Sequence, residues 1–357
     1  MSFFSNIIEE DCQSIIRRLG KITNFLRGKK ILITGANGFL CSYFVDVINI
    51  WNKSQDVPNS CTVYALDNFS SSKKERLIHL YNEPQIKILN SDVTKEIDID
   101  EIDYIIHGAS IASPLIYRKF PLETIEANIM GTKNILDIAK LKKTKNVIIF
   151  SSSEIYGDPD NKNIPTHENY KGNVSCAGPR ACYDESKRMA ETLAYVYKTK
   201  YRVSVNIIRP FNFFGPGQNL KDKRIVPDCI DSVIRNRDIV LFSDGKSTRS
   251  FCYISDAVTV ILFLLLKKPK KNLAYNVGND EIEISMKELS KLILNSGKLI
   301  LTKNSNKIIF KKSSDKQYNT DSPSRRAPDL KRIKSLFNWK PEISVKEGIE
   351  RTIRSYL

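Results

Sequence analysis

The chain is poor in the residues that build metal and disulfide sites. It has three histidines and seven cysteines in 357 residues. The cysteines are odd in number, scattered and never spaced Cys-x-x-Cys, which argues against a disulfide framework and against structural zinc. They suit a reducing cytoplasm, and no metal is expected. Long hydrophobic runs are also missing. The longest, residues 258–266, stops at Lys267-Lys268, well short of the ~20 apolar residues of a membrane-spanning helix. It reads as the buried part of a core helix. No basic stretch leads into an apolar segment at the N-terminus, so no secretory leader is expected. Internal repeats and low-complexity linkers are absent.

Acid is the scarcer charge, with 40 Asp and Glu against 56 Lys and Arg, for a net charge of +16. Along the chain the lysines form no single basic block and no aromatic residues are interleaved with them as a stacking platform. Lys, Asn and Ile are abundant throughout, which reads as compositional bias. Neither nucleic acid nor a membrane is expected as a partner. The length and the 41% hydrophobic content suit a soluble globular protein of one large domain or two smaller ones.

Three regions follow from the patterning. In residues 1–28, Ile7, Ile8, Cys12, Ile15, Ile16 and Leu19 have helical spacing, with Gly20 and Gly28 as punctuation. This predicts a short helical extension packed on the body or on a second subunit. From Lys30 strands and helices alternate. The strand candidates are KILIT (30–34), CTVYAL (61–66), IKIL (86–89), YIIH (104–107), NVIIF (146–150) and VSVNIIR (203–209), with helices over 122–139 and 182–200. Such β-α repetition predicts an α/β fold with a Rossmann-type, doubly wound parallel sheet over 29–211. After Asn212 the alternation stops and prolines recur. Residues 212–357 are expected to form a smaller, irregular substrate-binding lobe interleaved with the first domain.

TGANGFLCS (34–42) follows the first strand and opens a helix. Gly35 and Gly38, with Asn37, Phe39 and Leu40, fit a turn whose N–H groups approach a pyrophosphate at the helix N-terminus. Cys41 stands where a third glycine would complete the fingerprint. Asp67, with Asn68, ends the second strand and is placed to bond an adenosine ribose, favouring NAD over NADP. The segment 51–60 lengthens the spacing from Gly35. Asp92 and Val93 follow the third strand, near an adenine edge, and Ala109 follows the fourth.

The chemistry centres on Ser152-Ser153-Glu154 and on GPRACYDESKR (178–188). Tyr183 and Lys187 are one helical turn apart on one face. The lysine ammonium favours the tyrosine phenolate by charge attraction, so Tyr183 can serve as a general base, with Ser152 orienting the same substrate oxygen. The plain alternative is a surface lysine beside a half-buried tyrosine.

These stretches resemble the extended short-chain dehydrogenase/reductases that modify nucleotide sugars, and among them most closely the UDP-glucuronate decarboxylases, or UDP-xylose synthases. ASIASPLIY (109–117), SSSEIYGDP (151–159), GPRACYDESKR and RRAPDLKR (325–332) carry the resemblance. The 4,6-dehydratases of this group typically have Asp-Glu after the hydroxyl residue and galactose-type 4-epimerases generally lack the Glu; a Ser-Glu pair fits the decarboxylases. The resemblance implies NAD as a cofactor regenerated in each cycle. It implies that Tyr183 takes the O4 proton, Lys187 lowers the tyrosine pKa and Ser152 positions O4. Ser153 and Glu154 are then placed near C5 and C6, and Arg326 near the carboxylate. It further implies substrate contacts from Tyr117, Arg180, Asn212, Arg224 and Arg249, a structural role for Asn128, and a homodimer formed through the helices over 122–139 and 182–200. Arg249 and Arg326 have an ordinary alternative as structural ion pairs, Arg249 at a strand edge and Arg326 with Asp329 or another carboxylate. Residues 215–217 and 224–230 depart from the decarboxylase pattern, which leaves the nucleotide and the C6 group open. A 4-epimerase, a 4,6-dehydratase and a non-catalytic sensor on the same fold are the competing readings.

Overall fold

In a computed structural model, residues 4–70, 74–301, 306–315 and 320–357 are described. Seven strands form one sheet: β1 (Lys30–Thr34), β2 (Thr62–Asp67), β3 (Ile86–Asn90), β4 (Tyr104–His107), β5 (Asn146–Phe150), β6 (Val205–Pro210) and β7 (Ala274–Val277). All neighbours pair in parallel, in the order β7-β6-β5-β4-β1-β2-β3. Parallel strands need crossovers, and these put helices on both faces. The side chains of β1 divide accordingly. Ile31 and Ile33 join the layer containing α1 (Asn6–Leu19), α2 (Phe39–Asn52) and, further along the chain, a helix at Ile254–Lys267; Leu32 enters the layer built by residues 135–139 and 194–197.

The N-terminal segment forms the expected helix, α1. Its Ser5 side chain caps the first turn, Gly20 ends it with φ 52°, and Ile8, Cys12, Ile15 and Leu19 are buried. It packs on the body of the same chain. Tyr43 and Tyr253 donate to the Asp11 carboxylate, and Arg351 also bonds it, at 2.9 Å.

The helix expected over 122–139 is interrupted. After α3 (Pro114–Lys119), it is built from α4 (Pro121–Glu126), a π-turn over Ala127–Gly131 and α5 (Thr132–Leu141). Gly131 faces Val93 so closely that an added Cβ would lie 2.6 Å from a Val93 methyl. Asn128, inside the π-turn, donates to Ser186 Oγ at 2.8 Å. Such turns insert one extra residue per helical turn and are frequent at functional sites.

Beyond Asn212 the chain is more regular than expected. After α6 (Ala181–Lys200), it contains α7 (Ile225–Ile234), α8 (Ile254–Lys267), α9 (Met286–Leu301), α10 (Lys331–Phe337) and α11 (Val345–Arg354). The prolines mark helix starts and connections. The four-residue β7 also comes from this region. It carries the polar Asn276 at its centre, which conceals it as an apolar run, yet all four residues are buried. Thr248–Arg249 lies between Ile284–Ser285 and Arg325–Arg326 in a small separate sheet, with Arg326 directly opposite Arg249. Among the described residues, no helix is long and apolar enough to cross a membrane.

Candidate active site

The order of the strands reverses between β1 and β4, and the crevice at the carboxyl ends of such strands is where this class of sheet binds ligands. The glycine turn sits there. Gly35 has φ 69°, a conformation that favours glycine. A Cβ on it would meet the Ala109 backbone nitrogen at 2.8 Å. Gly38 N–H donates to Gly35 O at 3.0 Å and starts α2, with Phe39 and Leu40 in its first turn. Asn37 N–H donates to Asp67 Oδ2 at 3.0 Å, while Phe69 N–H donates to Asp67 Oδ1 at 2.8 Å. Burial outweighs these two bonds and raises the Asp67 pKa. Asn68 donates to Asp92 Oδ2 at 3.0 Å, and Asp92 Oδ1 accepts from Thr94. The fold therefore brings together the candidate cofactor residues from four strand ends.

Cys41, the departure from the glycine fingerprint, is accommodated by its neighbour. A Cβ on Gly108 would lie 2.3 Å from Cys41 Sγ. The missing side chain has moved across the helix–strand contact: a sulfur fills the space on α2, and the glycine is on the facing segment. A turn with two glycines, Gly35 and Gly38, an open helix N-terminus and an acidic residue at the end of β2 fit the pyrophosphate and ribose of a dinucleotide.

Tyr183 and Lys187 lie on α6, both buried. Tyr183 stacks on Tyr117, with ring centroids 5.1 Å apart and planes inclined by 11°. Lys187 Nζ is 5.7 Å from the Tyr183 ring centroid and donates to Phe150 O at 2.8 Å. Burial raises Tyr183 to about 12, opposed first by its hydrogen bond with Ser152. Burial likewise lowers Lys187 to about 8. The ammonium is tied to a backbone carbonyl rather than to the phenol oxygen.

Ser152 caps the short turn Ser153–Tyr156 and accepts from Glu154 N–H at 3.1 Å. That turn aims Glu154 at two arginines. Arg180 and Arg326 each form a charge-assisted bond to one carboxylate oxygen. Burial alone would raise Glu154; the charges of Arg326 and Arg180 overcome it and hold the carboxyl at about 2. Arg326 therefore pairs with Glu154, not with Asp329. Arg249 stands beside it in the strand register, donating to Pro323 O at 2.6 Å and Thr248 O at 2.8 Å. Burial and the neighbouring Arg326 lower its pKa to about 10.

The remaining expected contacts are placed less directly. Tyr117 is buried, with no hydrogen-bond partner on its hydroxyl. Asn212 donates to Ser250 O at 2.9 Å. Arg224 begins α7 and pairs with Asp222, and its charge reaches Tyr183. Ser153 is buried in the turn before Glu154.

Two groups escaped sequence reasoning. Asp184, beside Tyr183, lies 3.6 Å from Arg180, and burial followed by the Glu154 charge pushes it up to about 7. Its place inside the CYDES segment was the available signal. His107 ends β4 between Thr34 Oγ1 (2.8 Å) and Thr132 Oγ1 (3.1 Å). Burial and Lys187 lower it to about 3, so it is neutral. Nothing in its local sequence marks it.

A glycine turn at the head of a seven-stranded parallel sheet, facing a buried Ser-Tyr-Lys set, defines a dinucleotide-dependent enzyme fold. The chain belongs to the NAD dependent epimerase/dehydratase family, whose model matches residues 31–278. UDP-glucuronic acid decarboxylase 1 of Arabidopsis thaliana is 36% identical over 327 residues, covering 92% of this chain and 69% of that protein. Its namesake in Xenopus tropicalis is 34% identical over 328 residues, covering 92% and 72%. Among solved structures, the Thermotoga maritima UDP-glucose 4-epimerase with UDP-glucose superposes with a TM-score of 0.75 at 22% identity, covering 92% of this chain and 98% of that one. The Streptomyces venezuelae dTDP-glucose 4,6-dehydratase DesIV, with NAD and TYD bound, gives 0.75 at 21% identity, covering 92% and 96%. At those identities the structures speak for the fold alone.

Proposed function

We propose that this chain is an NAD-dependent decarboxylase of a nucleotide-linked uronic acid, of the UDP-glucuronate to UDP-xylose type. The observation that carries the reading is the Glu154 clamp. Arg180 and Arg326 pair with one carboxylate beside the Ser152–Tyr183 pair, and the charge of Arg249, held by backbone carbonyls, also reaches it. The surplus positive charge suits a substrate with a carboxylate as well as a diphosphate, and a guanidinium matches either group with two parallel bonds. The similarity to UDP-glucuronic acid decarboxylases over most of the chain supports the same assignment.

NAD, when bound, supplies the hydride acceptor at C4 of the sugar and, in its oxidised form, a positive charge. Gly35, Asn37, Gly38, Phe39, Leu40, Asp67, Asn68, Asp92, Val93 and Ala109 hold it, together with Tyr183 and Lys187. Tyr183 takes the O4 proton, with Ser152 bonded to the phenol and fixing the oxygen's position. Arg326 and Arg180 hold the C6 carboxylate, which lies β to the C4 carbonyl and leaves as carbon dioxide with its bonding electrons spread into an enolate. Glu154, ionised throughout the neutral range, orients both arginines rather than donating a proton. The Ser153 hydroxyl is too weak an acid to protonate a leaving C6 hydroxyl at neutral pH, so it does not support loss of that group as water. Tyr117, Asn212, Arg224 and Arg249 complete the substrate contacts in the lobe formed mainly by residues 212–357.

The chain acts as a homodimer in this reading. Leu122 (69% exposed), Met130 (53%) and Met189 (46%) give the α4–α6 surface the apolar character of a helical interface. All seven cysteines are free, consistent with a reducing cytoplasm. Mass spectrometry on NAD-supplied protein with a panel of nucleotide sugars tests the assignment. A product from UDP-glucuronate lighter by carbon dioxide is expected. Loss of water, or an isomer of unchanged mass, would overturn it in favour of a dehydratase or an epimerase.

A further inference from the structure

Helices α5, α6 and α8 end at the same edge of the sheet where β5, β6 and β7 begin, at the end away from the glycine turn. Counting the last residues of each helix, the connections span 138–146, 197–205 and 267–274. Together they contain ten lysines and one arginine, and no aspartate or glutamate. Widely separated in the sequence, they lie side by side in the fold. Ser204 donates to Asn146 Oδ1 at 3.1 Å, Lys198 donates to Asn272 O at 3.1 Å, and Asn206 donates to Pro269 O at 3.0 Å. Asn146 also donates to Leu264 O and Leu265 O at the end of α8.

The cations face outward. Lys140, Lys143, Lys145, Lys200, Arg202, Lys267, Lys270 and Lys271 are exposed. Among the described residues only Lys145 of the eleven has a carboxylate partner within 4.0 Å, Asp103. The ordinary explanation is compensation of the helix dipoles. Each helix C-terminus presents only about half a negative charge, so three helices account for one or two of these cations. The backbone adds a second observation. Lys143, Arg202 and Lys268 have φ of 50°, 60° and 49°, a left-handed conformation that helix ends normally assign to glycine or asparagine. A cation occupies it in all three connections.

We propose that this end of the sheet is a docking surface for membranes bearing anionic lipid headgroups. Apolar side chains stand among the cations: Leu141 is 74% exposed, and Phe25, 48% exposed, lies under Lys267 Nζ at 5.5 Å. Cations with apolar side chains that enter the headgroup layer are the composition of an interfacial surface. Nucleic acid fits less well. Lysine outnumbers arginine ten to one, so the bidentate forks that read bases and phosphates are lacking. The ring of Tyr201 is covered by Lys140 at 4.1 Å and Lys200 at 5.3 Å, which leaves it a poor stacking platform.

Vesicle co-sedimentation tests this, comparing neutral phosphatidylcholine with phosphatidylcholine containing phosphatidylserine. The wild-type chain should sediment only with the anionic vesicles and be released by high salt. A triple variant with one reversal in each connection, Lys142→Glu, Lys200→Glu and Lys270→Glu, should lose binding. Each lysine contributes about fivefold, so the loss should be on the order of 100-fold or more. A control with Lys162→Glu, Lys171→Glu and Lys246→Glu carries the same net charge and should bind far better than the triple variant. Unchanged thermal melting separates this from misfolding. The proposal is overturned if the wild type ignores anionic vesicles, or if both triple variants lose binding equally. Binding to a DNA duplex in place of vesicles, abolished by the same three reversals, would overturn it in favour of nucleic acid.

Discussion

Positive charge is handled in opposite ways at the two ends of one sheet. At the carboxyl end it sits on arginines that are buried (Arg326) or half-buried (Arg180, Arg249) and held in place, Arg180 and Arg326 by Glu154, and Arg249 by backbone carbonyls. At the amino end it sits on lysines that are exposed and almost all without a carboxylate partner among the described residues. A buried ion pair is costly to break, because the charge left behind has lost both its partner and water. Exposed charges act as a sum, and any one contributes little alone. The carboxyl end should therefore depend sharply on single residues, and the amino end only on combined changes.

The sharpest break should come at Tyr183. Tyr183→Phe keeps the ring stacked on Tyr117 and removes the proton acceptor, so turnover should fall by about a hundred- to ten-thousand-fold while the variant still binds NAD. Loss of NAD binding in that variant would instead indicate a structural role.

Arg326→Met should come next. It leaves Glu154 with Arg180 alone and should cost about 2 kcal/mol of stability, less than for a fully enclosed pair because the Glu154 side chain retains 24% exposure. The pH dependence has a definite sign. Glu154 is held at about 2 against an ordinary 4.5. Its stabilising contribution is thus complete above 4.5 and is lost as the pH falls toward 2. The stability gap between wild type and variant should narrow over that interval in acid-denaturation curves. A gap that is flat with pH would mean that the clamp is not electrostatic.

A smaller effect is expected in the cofactor turn. Gly108→Ala drives a methyl into Cys41 Sγ and should destabilise by about 1–3 kcal/mol, the usual cost of overpacking. Adding Cys41→Ala should recover most of this in thermal melting; no recovery would show that the two positions do not share one space. The smallest effect on catalysis belongs to the amino end. Lys142→Glu, Lys200→Glu and Lys270→Glu together should leave kcat and KM within about twofold, as expected for exposed charges far from the chemistry. A large fall in kcat would mean that the two ends are coupled.

The same contrast explains what the sequence allowed one to read. Six strands and the Ser152, Tyr183 and Lys187 set are local patterns, and periodicity within a few residues reveals them. The seventh strand is hidden by Asn276, whose amide donates to Thr166 O and Asp329 O and so depends on distant chain. Glu154, Arg180 and Arg326 were each recognisable, but their pairing joins residues 26 and 172 positions apart and needs the fold. The amino-end lysines were read as a dispersed bias because each connection is a short run. Only parallel topology, which starts every strand at one edge, gathers them. The Lys187 ammonium bonds Phe150 O for a related reason: helical spacing fixes which side chains are neighbours but not which backbone carbonyl receives an ammonium.

The central claim is loss of the sugar carboxylate with Tyr183 as base, and the most direct measurement follows that carbon. UDP-glucuronate labelled isotopically at its carboxylate is incubated with NAD and either the wild-type chain or Tyr183→Phe. The account predicts labelled carbon dioxide from the wild type, in step with formation of a UDP-pentose, and almost none from the variant. Label retained in the nucleotide sugar with the wild type, or released equally by both proteins, would contradict it.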